Sequence, residues 1–251
     1  MKKKNLILGI TLFIFGTIGI ISLLTMEISL PPETEVFQKD KFSAEQIKFL
    51  TLINPTIMLI VAVIVGTLLH NKVNLRVQLI ENIINKNNTN VNYSILRYGI
   101  IGGVLAGVLL SLVGLIYYPH LPEEFLRLGD KLKPTIAVRF LYGGLTEEIL
   151  MRFGLMTFIV WMFSKVLGET KPIVYWIGIL IAAIIFAVAH FPIAYNAVGR
   201  PSFSLLTYIT IANSIGGIIF GWLYWKKGLE SAFIAHIFAH IIMVIADSII
   251  T

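Results

Sequence analysis

Gly143-Gly144-Leu145-Thr146-Glu147-Glu148-Ile149-Leu150-Met151-Arg152 places two adjacent carboxylates and an arginine inside an apolar run from about Ile136 to Phe163. An ionised side chain in hydrocarbon costs at least ~2.5 kcal/mol even on lenient insertion scales, so such groups mark function or a tight pairing. On an α-helix Glu148 and Arg152 are four apart with the acid first, the favourable order for an ion pair. Glu147, one position earlier, points roughly 100° away. One carboxylate is then clamped and its neighbour is free for chemistry. A structural salt bridge between packed helices is the plainer alternative.

Three of the five histidines also fall in apolar helices: His190 after Phe186-Ala187-Val188-Ala189, and His236 and His240 in Ala235-His236-Ile237-Phe238-Ala239-His240. Phe186 and His190 are four apart, so the ring can pack on the imidazole, and Pro192 closes that helix. His236 and His240 share a helix face. His70 and His120 fall at helix ends and read as interfacial.

Two chemistries fit this set. In one, Glu147 is a general base that activates water against a peptide carbonyl, a histidine assists, and a second histidine donates to the developing oxyanion. In the other, Glu147, His190, His236 and His240 ligate a tetrahedral zinc, with Glu148 or a metal-bound water as the base. The spacing alone leaves both open.

The elements that must position these groups cross a membrane. The chain has 251 residues, 57% hydrophobic and 14% charged, and a mean hydropathy of +0.84. Several apolar runs reach the ~20 residues a bilayer-crossing helix needs, and no alternating pattern suggests a β-barrel. The expected fold is all-α: a polytopic bundle with spans at about 5–25, 50–70, 96–118, 134–164, 172–191, 203–225 and 229–250. That makes seven helices, or eight if the long fourth run is split. Met1-Lys2-Lys3-Lys4 before an apolar run resembles a signal peptide, but no small-residue cleavage site follows, so the run reads as the first span. Having no cysteine, the sequence excludes disulfides and thiolate metal sites.

Segment 26–49 is polar and contains Pro31-Pro32. Segment 71–95 is rich in asparagine and places Leu75, Leu79, Ile80, Ile83 and Ile84 at helical spacing. Gly103-x-x-x-Gly107 and Gly217-x-x-x-Gly221 are packing pairs, and Asn213 reads as an interhelical hydrogen bond. The +6 net charge does not indicate nucleic acid, because the basic residues lie mainly in short loops and ends. With loops assigned alternately, Lys2, Lys3, Lys4, Lys72, Arg76, Lys86, Arg97, Lys165, Lys171, Lys226 and Lys227 share the N-terminal side. Lys39, Lys41, Lys48, Arg127, Lys131, Lys133 and Arg200 lie on the other, with eight of the fourteen acids. Eleven against seven places the N-terminus in the cytoplasm, with the chain multi-pass in the cell membrane.

Glu147-Glu148-x-x-x-Arg152, Phe186-x-x-x-His190 and His236-x-x-x-His240 together resemble the three ordered motifs of the CPBP family of intramembrane proteases. That family comprises the CAAX prenyl endopeptidases and their bacteriocin-processing or immunity relatives. The third motif departs from the family's usual asparagine or aspartate by ending in His240. The resemblance covers about 134–250, which divides the chain into N-terminal spans and polar loops at 1–133 and a catalytic core at 134–251.

The resemblance implies a polar cavity within the bundle and proteolysis of a membrane-associated peptide or protein near its terminus. It implies Glu147 as the water-activating residue assisted by His190, Glu148 and Arg152 as organisers, and His236 and His240 as oxyanion or substrate contacts, with Phe186 at the substrate. Relatives act either as glutamate-dependent proteases without a cofactor or with zinc, and the metal-free route is the favoured expectation. The implied partners are a membrane-held peptide or protein substrate and the lipid bilayer. A lysine-, asparagine- and isoleucine-rich chain without cysteine suits a low-GC bacterium, for which bacteriocin leaders or peptide pheromones are better substrates than a prenylated CAAX protein. A non-catalytic immunity or scaffold protein of the same fold is the competing reading, and a proton-coupled transporter the third.

One geometric condition follows from the spans. If the fifth and seventh run in the same direction, straight helices put His190 and His236 ~15 Å apart in depth at ~1.5 Å per residue. The site assembles only if the fifth starts below the membrane or ends mid-membrane at Pro192.

Overall fold

In the lipid interior every backbone N–H and C=O must be satisfied within the chain, so long apolar runs become helices. A computed structural model describes residues 3–26, 43–86, 93–123, 125–126 and 134–250. Pro31-Pro32, the asparagines of 87–92, and several topology markers (Lys2, Lys39, Lys41, Arg127, Lys131, Lys133) lie outside the described residues, as do Glu27, Glu33, Glu35, Asp40, Glu124 and Asp130.

The chain is all-α, with seven helices long and apolar enough to span a membrane among the described residues: Lys3–Thr25, Glu45–Val73, Tyr93–His120, Val138–Val166, Pro172–Asn196, Phe203–Lys227 and Leu229–Ile249. The long fourth run is one span of 29 residues. Its individual helices are α1 (Lys3–Ser22), α2 (Ala44–Thr51), α3 (Ile53–Leu69), α4 (Gln78–Ile84), α5 (Tyr93–Tyr117), α6 (Thr157–Val166), α7 (Pro172–Val188), α8 (Phe191–Val198), α9 (Phe203–Lys227) and α10 (Leu229–Ile250).

Between α5 and α6 the fourth span is wound differently. Val138–Glu147 and Ile149–Met156 are π-helical, joined at Glu148. The expected α-helix is therefore corrected over the very stretch that carries the acids. Gly143, Gly144 and Gly154 weaken the α-helical preference of this segment, and π-winding is frequent at functional sites. The fourth span is also the most enclosed of the seven, with 56% of its apolar window buried.

Its neighbours reach it through small residues. Thr146 Oγ1–H donates to the Gly16 carbonyl at 2.8 Å, and Gly19 of α1 packs on Thr146 and the Leu141 carbonyl. Gly66 of α3 packs against Phe153, and Gly154 against Ala62. On the far side Gly103 and Gly107 of α5 meet Ala235, Phe238, Ala239 and Ile242 of α10, while Gly217 and Gly221 of α9 meet Ala183 and Ile179 of α7. Both glycine pairs thus serve packing, as their spacing predicts. One buried apolar cluster extends from Leu8 to Ala239, so residues 1–133 and 134–251 contribute to a single core.

Three local expectations are corrected. The amphipathic segment forms only α4; Leu75 precedes that helix and is buried, and Ile83 is 65% exposed. His70 is fully buried rather than interfacial: its Nδ1–H donates to the Gly66 carbonyl at 2.9 Å, and its Nε2 lies 3.1 Å from Glu81 Oε1. Asn213 donates to the Ile209 carbonyl at 2.9 Å, one turn back in its own helix, rather than across helices. His120 is exposed at the end of the third span.

Candidate active site

Glu148 is completely buried and is held from two helices. Arg152 Nε lies 3.1 Å from its Oε2, and His236 Nδ1–H donates to its Oε1 at 2.8 Å. The guanidinium of Arg152 sits over two aromatic faces, 5.2 Å from the Phe186 ring centre and 5.4 Å from that of Phe220, and its Nη2–H reaches the Gly216 carbonyl at 3.5 Å. Charge, hydrogen bonds and cation–π contacts together offset the cost of burying this pair. The ion pair expected from the four-residue spacing is present.

Glu147 is placed differently. Its side chain is 19% exposed, and its Oε2 lies 3.9 Å from His236 Nε2. With Nδ1–H committed to Glu148, the neutral His236 ring carries its lone pair on Nε2, on the side of Glu147. His236 is further fixed between Phe220, stacked at 4.7 Å, and His240, stacked at 5.0 Å between ring centres.

His240 is the least constrained of the rings. Its Nδ1 is buried without a hydrogen-bond partner. Both Nε2 atoms face Gly143: a Cβ at that glycine would stand 3.0 Å from His240 Nε2 and 3.3 Å from His236 Nε2. Gly143 is therefore what keeps open the space that Glu147, His236 and His240 share.

His190 follows the last turn of α7. Its Nδ1–H donates to the Phe186 carbonyl at 2.8 Å, and the Phe186 ring meets the imidazole edge-on at 4.7 Å, as their spacing predicts. His190 Nε2 is thereby left as the acceptor. Phe186 thus touches both His190 and Arg152, linking the second motif to the first.

Two helix ends bear on how the histidines are placed. α7 stops at Val188 and α8 begins at Phe191. Leu229, Glu230, Ser231 and Ala232 at the start of α10 are buried, and Leu229 N–H donates to the Arg76 carbonyl at 3.0 Å. The last helix thus starts inside the protein.

The four residues considered as zinc ligands, Glu147, His190, His236 and His240, do not gather as a metal-holding group: among the described residues no three His, Asp or Glu side chains do so. Nδ1–H of His236 and of His190 donate to protein acceptors, which leaves each Nε2 as the ring's open nitrogen.

Two participants escape a reading of polar motifs. Phe220 sits beneath both Arg152 and His236 but offers no polar signal. Gly143 lies in the motif stretch without a chemistry of its own.

Gly143→Ala is expected to lower activity several-fold, because its Cβ, 3.0 Å from His240 Nε2 and 3.3 Å from His236 Nε2, would push both rings by a few tenths of an ångström. Its melting temperature should move little by comparison. Unchanged turnover in a folded Gly143→Ala protein would show that the shared space is not used.

Residues 130–242 match the family model described as type II CAAX prenyl endopeptidase Rce1-like. The matched segment takes in all three motifs, and the resemblance read from them is borne out. No curated protein and no solved structure matches the chain.

Proposed function

We propose that this chain, whose segment 130–242 belongs to the Rce1-like family, is an intramembrane endopeptidase that cleaves a membrane-associated peptide or protein near its terminus with a glutamate-activated water. The observation that carries the reading is the unequal treatment of two neighbouring acids. Glu148 is locked between Arg152 and His236, and Glu147 is left partly open against the lone pair of His236.

In this mechanism Glu147 accepts a proton from water as the water oxygen bonds to the peptide carbonyl carbon. The water's second hydrogen is accepted by Nε2 of one imidazole, His190 or His236, which orients its lone pair toward the carbonyl carbon. The carbonyl oxygen gains the negative charge, and His240 Nε2–H donates to it. The C–N bond then breaks as the proton held by Glu147 passes to the leaving nitrogen. The mechanism uses the chain's own residues and routes no step through a metal. The chain lies in the cell membrane with its N-terminus in the cytoplasm, and its substrate is a bacteriocin leader, a peptide pheromone or a similar short membrane-held chain.

One feature favours a second reading, an immunity or scaffold protein of the same fold: His240 stands where the family usually has asparagine or aspartate. His240→Asn separates the possibilities. With His240 as an oxyanion donor, asparagine supplies an equivalent N–H, and the variant should keep turnover within about tenfold of the wild type. With His240 as a zinc ligand, the variant should lose both bound zinc and activity, and the wild type should hold close to one zinc per chain by elemental analysis. That second outcome would overturn the metal-free mechanism. Wild-type protein in liposomes that shows no Glu147-dependent cleavage of membrane-anchored peptides would leave the scaffold reading.

A further inference from the structure

Between α1 and α3 the outer face of the bundle carries a groove of about 320 Å³, lined almost wholly by apolar side chains. Leu6, Ile10 and Phe13 form one side of it along α1, and Ile60, Ile64 and Leu68 the other along α3. Leu6, Ile10, Ile60, Ile64 and Leu68 are each about half-exposed, so the groove opens toward the membrane rather than into the core. Gly9 and Thr67 are buried at its floor.

Thr67 is the polar exception. Thr11, Thr17, Thr56 and Thr210 each donate to the carbonyl one turn back in their own helix, the ordinary way to satisfy a threonine in a helix. Thr67 Oγ1 has no hydrogen-bond partner in the protein, although the residue is only 3% exposed. Its oxygen faces Gly9 across the floor. An unpaired buried hydroxyl is costly, so an acceptor brought by whatever fills the groove would stabilise it.

One end of the groove is charged. Gly9 packs on Thr67 and Gly16 on Leu59, so α1 and α3 run antiparallel in a register that sets Lys3 level with Lys72. Lys3 stands one turn before Leu6, and Lys72 one turn after Leu68, each continuing the stripe that lines the groove. Both lysines are exposed. Thr67, beside Leu68, lies at this same end.

The dimensions select the occupant. From Leu6 to Phe13 a helix rises ~10 Å, which leaves the groove roughly 30 Å² in cross-section, whereas a second helix about 10 Å across would need ~80 Å². A hydrocarbon chain fits that width. The groove therefore offers, in order, a slot for a hydrocarbon chain, a buried hydroxyl and a pair of cations.

We propose that this groove binds an anionic phospholipid from the leaflet on the N-terminal side. One acyl chain lies along Leu6 to Phe13, an ester carbonyl accepts from Thr67 Oγ1–H, and the phosphate sits between Lys3 and Lys72. With the N-terminus in the cytoplasm, this is the leaflet whose surface is negative. The site is separate from the Glu147 cluster and does not rest on the protease reading. Both of its helices pack on the acid-bearing span, α1 through Gly16 and α3 through Gly66, so bound lipid braces that span.

The full chain, purified in detergent, is titrated with dioleoyl phosphatidylglycerol or dioleoyl phosphatidylcholine, and bound lipid is counted by native mass spectrometry. Phosphatidylglycerol should bind about tenfold tighter, because each lysine near an anionic headgroup adds to the attraction. Lys3→Gln combined with Lys72→Gln should bring phosphatidylglycerol down to the phosphatidylcholine level. Ile64→Trp, at a half-exposed rim position, should weaken both lipids about tenfold by filling the groove. Thr67→Val, which keeps the side chain's shape, should weaken both a few-fold.

Equal binding of the two lipids by the unaltered protein overturns the proposal, and that result needs no variant to fold. A preference that survives the double lysine replacement overturns it, as does lipid binding that ignores Ile64→Trp. A chain that is dimeric without bound lipid and becomes monomeric on Ile64→Trp would also overturn it, and would make a second copy the occupant.

Discussion

Glu147→Gln should remove proteolysis and leave the fold standing. Glutamine keeps the shape and hydrogen-bonding capacity of the side chain but cannot take a proton from water. A positioned general base contributes about 100- to 10,000-fold, so kcat should fall by that range. Stability should hardly change, because Glu147 is partly exposed and its ion-pair contact with His236 is a long 3.9 Å. Melting in detergent within a few degrees of the wild type, with peptide cleavage lost, is the expected pair of results. A folded Glu147→Gln protein that cleaves at the wild-type rate would sink the general-base assignment.

The neighbouring acid should behave in the opposite way. Glu148→Ala leaves Arg152 buried opposite nothing and strips His236 Nδ1 of its acceptor. Breaking a buried pair from one side costs ~3–5 kcal/mol. Arg152→Ala leaves Glu148 with His236 still donating to it, so its cost should fall at the lower end of that range or below. Both replacements should also lower activity, Glu148→Ala more, since it alone frees the His236 ring to turn. The double variant should be less destabilised than the sum of the singles, because the orphaned partner is gone. Thermal melts of the four proteins check this. Strict additivity would mean that the two side chains do not share an interaction, and a milder Glu148→Ala would mean that His236 is not held through it.

The contrast between two adjacent glutamates was legible before any coordinates. A four-residue gap with the acid first predicts Glu148 with Arg152, and that pair forms at 3.1 Å. The same gap predicts Phe186 against His190, and His236 against His240; both contacts are present. Run length and apolarity gave seven spans because a bilayer permits few other ways to satisfy the backbone. The three motifs carried the resemblance that the family match over 130–242 bears out, since their order and their chemistry lie in the residues themselves.

Tertiary structure decided what periodicity could not carry. Helices that are apolar nearly all round have no polar face to reveal their orientation. Sequence therefore did not show that α1 holds the acid-bearing helix through Thr146 and Gly16, or that Phe220 floors the site. A spacing of four brings side chains together in either an α- or a π-winding, so Glu148 and Arg152 could pair without disclosing which one is present. His70 was misjudged because a position at the end of a helix looks exposed until the following segment folds back, and here Glu81 does so. Where α7 stops and how deeply α10 starts inside the protein are likewise set by packing and not by run length. Residue types fix the chemistry on offer; close packing between helices fixes which of those residues meet, because that choice is made by contacts far apart in the chain.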